Sequence, residues 1–360
     1  MEMQIKIAII GTAGIPALYG GFETLAENLV KNRLENIEYT VFCSEKLYPK
    51  RERNYFGSRL WYIGLNPNGI GSIIYDLVCM LLSLRSDVML ILGVSGSIFL
   101  PLICLLYNGK IITNIDGIEW RRNKWNRIAK LILRVSERLS VRFSSEVICD
   151  NQGIIEYVFK TYKKKAVLIE YGADHTSGGR EKIENTTFCD EQYAITVCRI
   201  EPENNIHCIL DAFVRQNKIS LVIVGNWKSN NYGRSLLKKY GVYTSVHLLD
   251  PIYDVDRINF LRSSAFLYVH GHSAGGTNPS LVEAMFLGLP VLAFDCVFNR
   301  FTTENQCLYW SSVDELYAHI DCYDNSKLST IGINMKQIAE RRYMWKTIVS
   351  KYEALFYSTC

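Results

Sequence analysis

The feature that most constrains this chain is an alternation of short apolar runs with amphipathic stretches, kept up along nearly its whole length. Residues 5–10 are apolar apart from Lys6, and 39–43, 88–92, 110–115 and 146–149 repeat the pattern. Between them, 23–34 places Leu25, Leu29 and Val30 on one helical face, and 73–84, 98–107 and 126–143 read as further helices. Strand–helix–strand order of this kind predicts a parallel sheet covered by helices on both faces. The first series ends near 166–170. A second then runs through strands at 194–197, 220–224, 246–249, 265–269 and 291–294, with helices at 206–215, 236–240, 253–263 and 280–287. The end, 335–357, reads as one helix anchored by Ile338, Trp345, Ile348 and Leu355.

At 360 residues the chain exceeds a comfortable single core. The polar stretch 171–185 is the expected linker, giving domains at 1–172 and 188–340. The expected fold is α/β, two tandem Rossmann-like doubly wound domains. Such domains hold ligands at the carboxyl ends of their strands. With those ends facing each other, the cleft between the domains is the expected site.

Bulk properties narrow the function. The net charge of +4 suits an anionic small molecule or an anionic membrane surface. No zinc spacing or RNA-binding signature accompanies it, so nucleic acid is not an expected partner. The 11 cysteines are scattered without a C-x-x-C pair, and no signal-peptide pattern opens the chain, so a reducing cytoplasm is expected. Residues 88–107 are uncharged and long enough to raise the question of a membrane span. Gly93-Val94-Ser95-Gly96-Ser97 and Pro101 break them, so they read as strand, loop and helix. His270, His272 and Asp250 lack metal-ligand spacing, and no metal is assigned.

Four stations carry chemistry. The first strand ends in Gly11-Thr12-Ala13-Gly14-Ile15-Pro16, and Gly20-Gly21 lies where the first helix starts. Paired glycines let backbone approach a ligand closely, but the G-x-G-x-x-G spacing of a dinucleotide site is missing. The strand at 110–115 leads into Asp116-Gly117-Ile118-Glu119-Trp120-Arg121-Arg122-Asn123-Lys124-Trp125. There Asp116 is placed to orient or deprotonate an acceptor hydroxyl. Trp120 is placed to stack on a sugar, and Arg121, Arg122 and Lys124 to meet a pyrophosphate or anionic lipid. Arg199, just past an apolar strand, suits bidentate binding of a diphosphate, and Lys228 ends the next strand. Last, Gly275-Gly276-Thr277-Asn278-Pro279-Ser280-Leu281-Val282-Glu283 runs a polar loop into a helix. Its N-terminal amides and dipole favour an anion, and Glu283 is placed to hold ribose hydroxyls. For each station the plain alternative is a polar βα loop without a ligand.

These stations, in this order, resemble the family-4 glycosyltransferases. The carrying residues are Gly20-Gly21, Tyr171-Gly172-Ala173-Asp174, Arg199-x-x-Pro202-Glu203, Val224-Gly225 and Glu283-Ala284-Met285-x-x-Gly288-x-Pro290-Val291. A bacterial subgroup of capsule and O-antigen rhamnosyltransferases is more similar still. Its likeness rests on Tyr19-Gly20-Gly21-Phe22-Glu23, Asp116-Gly117-Ile118-Glu119-Trp120, Arg199-Ile200-Glu201-Pro202-Glu203-Asn204-Asn205 and Gly275-Gly276-Thr277-Asn278-Pro279-Ser280.

The resemblance implies the GT-B fold, with an acceptor-side first domain to which the last helix, about 341–360, returns. It implies a second domain that binds the nucleotide sugar, and retention of anomeric configuration. It implies dTDP-L-rhamnose as donor, a lipid-diphosphate-linked sugar as acceptor, no cofactor, and a peripheral place on the inner face of the plasma membrane, to which Lys163-Lys164-Lys165 would add charge. Asp116, Arg199 and Glu283 become the expected catalytic set. Gly20, Gly21, Lys228, Gly275, Gly276, Thr277, Asn278, Ser280, Leu281 and Val282 become the donor contacts, and Glu119, Trp120 and Arg121 the acceptor contacts. The chain departs from the wider family at three positions. Gly275 replaces the first of two glutamates, Asn204 or Asn205 replaces a lysine, and Asp116 stands where a histidine is common. A UDP- or GDP-sugar transferase, or a degenerate nucleotide-sugar-binding protein, is the alternative.

Overall fold

The computed structural model describes residues 4–18, 20–34, 36–69, 71–122, 125–177, 192–216 and 218–358. Tyr19 and Lys124 of the expected site, and the linker from 178 onward, lie outside them. The chain divides into two compact units, Met1–Glu170 with Trp345–Cys360, and Tyr171–Met344.

The first unit is built on β1 (Ile5–Ile10), β2 (Ile37–Ser44), β3 (Asn54–Tyr55), β4 (Ser58–Ile63), β5 (Val88–Leu92), β6 (Lys110–Ile115), β7 (Glu146–Cys149) and β8 (Val167–Leu168). They form one eight-stranded sheet in the order β3-β4-β2-β1-β5-β6-β7-β8. Every pairing is parallel except β3 with β4. The chain leaves β1 in one direction for β2 and returns on its other side for β5. Right-handed crossovers then place helices on opposite faces. A sheet covered twice needs strands that are apolar throughout, and β5 and β6 are buried at every position. The pattern of the sequence does not single out β3, β4 or β8. β3 and β8 are the two edge strands, and β4, next to β3, carries Arg59 and Trp61 among its apolar residues.

The second unit is a six-stranded, all-parallel sheet of β9 (Tyr193–Val197), β10 (Ser220–Val224), β11 (Val246–Leu249), β12 (Leu267–His270), β13 (Val291–Phe294) and β14 (Leu308–Trp310). Its order is β11-β10-β9-β12-β13-β14. The switch point lies between β9 and β12, where Ile195 pairs with Tyr268.

Two expectations need correction. Residues 98–107 are not one helix: a 3₁₀ turn at Ser95–Phe99 precedes the helix Leu100–Leu106. The final helix is two, Asn325–Arg342 and Trp345–Tyr357. Tyr343 stops the first of them because its backbone and side chain are both held inside the second unit. Its carbonyl accepts from Ala173 N at 2.7 Å and its hydroxyl donates to Thr302 O at 2.8 Å. The helix Trp345–Tyr357 belongs to the first unit. There Tyr352 accepts from Asn114 Nδ2 at 2.6 Å, and Glu353 accepts from Leu34 N at 2.8 Å. No helix among the described residues is long and apolar enough to cross a membrane.

Candidate functional site

The ends of β9 and β12 are the place where a doubly wound sheet opens a crevice, and here their loops are laced together by side chains. Asn204 donates to Arg199 O at 2.6 Å, and its Oδ1 meets His272 Nδ1 at 2.7 Å. Asn205 donates to Gly271 O at 2.9 Å, and Ser273 donates through both N and Oγ to Glu203 O at 2.9 Å. The asparagines that stand in place of the family's lysine thus join the Arg199 loop to the loop that begins at Gly271. Asn205 sits at φ 48°, a left-handed backbone that asparagine tolerates better than lysine.

Past that lacing, Gly275 turns the loop at φ 116°, where a side chain would be strained. Asn278 then caps the helix Pro279–Phe286, its Oδ1 accepting from Ser280 N at 3.0 Å. The carbonyl of Asn278 takes Leu281 N at 3.1 Å and Val282 N at 3.2 Å. The amides expected to face a phosphate are therefore held by Asn278, and the side chains of Leu281 and Val282 are core.

Glu283 projects from this helix into a buried ion pair. Arg262, on the helix Val255–Ser263 and 5% exposed, binds one carboxylate oxygen through Nη2. His175 Nε2 lies 3.2 Å from the other. Burial pushes the Glu283 carboxyl up, but Arg262 and then His175 outweigh it and hold the group below the usual carboxylate range. Neither partner was legible in the sequence, because nothing local ties 175 or 262 to 283. Glu203 is a further missed residue. It is buried with both carboxylate oxygens unpartnered. His270, at the end of β12, is buried with Nε2 unpartnered, and burial lowers its pKa to about 3, so it is neutral at ordinary pH.

Arg199 and Lys228, the two expected phosphate-binding cations, are exposed. Arg199 Nε stands 3.9 Å from Glu201, and Lys228 Nζ stands 3.4 Å from Asp250 with both side chains in solvent. Such a surface pair is weak and separates readily. Arg199, Lys228, 275–278, Ser280 and Glu283 thus all belong to loops or helix starts that follow strands of one sheet.

The other expected residues belong to the first unit. Gly20 caps the helix Gly21–Lys31 at φ 130°, and a side chain there would strike the Glu23 carboxylate. Glu23 folds back to accept from Ala13 N at 2.9 Å, so the first loop satisfies itself. Asp116 is exposed just beyond β6. Glu119 holds its own turn, accepting from Trp125 Nε1 at 3.0 Å and pairing with Arg122 at 3.1 Å. Trp120 donates to Tyr157 OH at 3.3 Å. The guanidiniums of Arg121 and Arg134 each lie 5.3 Å from its ring, where a sugar was expected to stack.

Comparison with known proteins follows the same division. Residues 4–174 match a domain of unknown function, DUF1972, and residues 179–305 match the model for glycosyl transferases group 1. No curated protein matches the chain by sequence. Among solved structures, sucrose-phosphate synthase from Thermosynechococcus elongatus is similar at TM-score 0.79 and 15% identity, over 99% of each chain. Anabaena HepE (Alr3699) in complex with UDP-glucose gives TM-score 0.77 and 16% identity, over 99% of this chain and 100% of its own. A glycosyltransferase from Rickettsia africae gives TM-score 0.70 and 12% identity, over 99% and 98%. The second unit thus matches the glycosyl transferases group 1 domain, and the chain along its length has the GT-B fold of these structures.

Proposed function

We propose that the chain moves a sugar from a nucleoside-diphosphate donor to an acceptor carried on a lipid diphosphate, at the inner face of the plasma membrane. The observation that carries the donor half is the second unit's switch point. The Arg199 loop is laced to the β12 loop, which leads into a capped helix whose Glu283 is held ionised by Arg262 and His175. In this reading Arg199 and Lys228 take the diphosphate and stabilise charge growing on the leaving phosphate. Glu283 accepts from ribose hydroxyls, and residues 275–278 line the sugar. The helix amides join once Asn278 yields its cap to the phosphate. Glu203, buried and without a donor, accepts from a ligand hydroxyl. Asp116 orients the acceptor hydroxyl, with Glu119, Trp120 and Arg121 as acceptor contacts and Gly20-Gly21 as a close backbone approach.

For the donor we propose dTDP-L-rhamnose, on the motifs shared with the rhamnosyltransferases. A UDP-sugar is the second reading, favoured by the similarity to HepE, which is solved with UDP and with UDP-glucose. Thermal stabilisation by dTDP, UDP, GDP, ADP and NAD, followed by donor turnover, decides between them. Selective stabilisation by dTDP with release of rhamnose supports the first, and selective response to UDP replaces it by the second. Binding without turnover points to the degenerate protein, and silence towards every nucleotide overturns the proposal.

A further inference from the structure

We propose that the first unit carries a docking surface for an anionic phospholipid bilayer, formed by the helices Leu100–Leu106 and Arg127–Phe143, with a phosphate-binding cavity at its basic end. The helix Arg127–Phe143 shows solvent a row that mixes Arg127, Arg134, Arg138 and Arg142 with bulky apolar side chains. Among the latter, Ile128 is 72% and Leu131 64% exposed. Its one acid, Glu137, is turned inward and 1% exposed. There Glu137 accepts from Tyr157 OH at 2.6 Å and Tyr162 OH at 2.5 Å. No carboxylate of this helix therefore faces solvent.

Two neighbours extend the surface in different ways. The helix Leu100–Leu106 is tied to this helix by a Cys104 Sγ contact to Phe143 O at 3.9 Å, and it exposes Leu102, Leu105 and Leu106, Leu105 by 81%. A cavity of about 500 Å³ is lined by Arg134, Arg138 and Arg142 of this helix together with Tyr162, Lys163 and Lys164. A soluble anion would satisfy the cations and leave the leucines and isoleucine in water. A bilayer with anionic head groups satisfies both, because apolar side chains enter the acyl boundary while basic ones stay at the phosphates. The helix Leu100–Leu106 is far too short to span, so the contact is shallow.

This surface says where the chain meets the membrane that a lipid-linked acceptor requires. It rests on that reading for its purpose and not for its physics. The test is flotation of the full chain with vesicles of phosphatidylcholine alone or with phosphatidylglycerol added. The chain is expected to bind the mixed vesicles, to bind neutral ones weakly, and to be released by salt near ~1 M, where charge is screened within ~3 Å. Each lost cation costs about fivefold in partitioning, so the double variant Arg138→Glu, Arg142→Glu loses about 25-fold or more. Leu105→Asp weakens binding without touching a cation, and circular dichroism checks that both variants fold. Equal binding to both vesicle types overturns the proposal. So does wild-type binding by the folded variants, or displacement of the chain by inorganic phosphate. Thermal stabilisation by nucleotide is read on the same variants. Lost vesicle binding with that response intact leaves the transferase assignment standing, and vesicle binding without any nucleotide response defeats the assignment alone.

Discussion

Single residues in this chain act through what they are buried against. Glu283 is the clearest case, because its charge is matched by Arg262 inside the second unit. Removing one partner of a buried ion pair costs about 3–5 kcal/mol, since the other is left uncompensated. Glu283→Ala should therefore lower the second unit's stability by about that amount, read by urea unfolding, while Glu283→Gln should lose less and separates chemistry from folding. Equal stability of Glu283→Ala and wild type would show that the pair is not as buried as it looks. Asp76 gives a pH-dependent case. It lies 2% exposed on the helix Gly71–Leu82 and accepts from Ser95 Oγ at 2.6 Å, and burial pushes its pKa up to about 7. Between the ordinary value of 3.8 and about 7 the folded chain keeps a proton that the unfolded chain has lost. Its contribution to stability is then present below 3.8 and falls as pH rises through that window. Asp76→Asn should remove this fall, so the gap between variant and wild-type melting curves should widen towards pH 8. A constant gap from pH 4 to 8 would refute it.

At the scale of elements, what could be read from the sequence depended on whether the signal was local. Runs such as Val88–Leu92 and Val291–Phe294 are strands as expected, because a strand buried on both faces must be apolar throughout. The polar loop running into the helix after Asn278 was legible for the same reason, that its signal is local. The partners of Glu283 were not, since His175 and Arg262 reach it from a separate turn and a separate helix. Nor was the role of Asn204 and Asn205, which look like a missing lysine until the β12 loop lies beside them. That role predicts the result of restoring the family residue. Asn204→Lys removes the bonds to Arg199 O and His272 Nδ1, in a side chain only 5% exposed. It should cost about 2–4 kcal/mol and loosen the Arg199 loop. Denaturation and nucleotide affinity, measured together, should both fall; tighter nucleotide binding by the variant would mean the lysine was simply absent.

For the whole molecule, the decisive fact is that the helix Trp345–Tyr357 belongs to the first unit although it follows the second in sequence. The helix Trp345–Tyr357 buries Trp345, Ile348, Val349, Tyr352 and Phe356 in the first unit, and Lys110 Nζ reaches back to Leu355 O at 2.6 Å. Burying five such side chains contributes on the order of 10 kcal/mol before the entropy of ordering them is counted. That is comparable to the entire stability of a domain, about 5–15 kcal/mol. A chain stopped after Met344 should therefore lose the first unit as a cooperative structure. The second unit keeps both of its laced loops and the whole Glu283 cluster, so it should keep its own transition. Calorimetry of the full and shortened chains tests this directly. One transition should vanish, and the transition that nucleotide raises in the full chain should survive and still respond. If both transitions persist, the last helix is an accessory to the first unit, and that unit's core must hold without the side chains the helix now supplies.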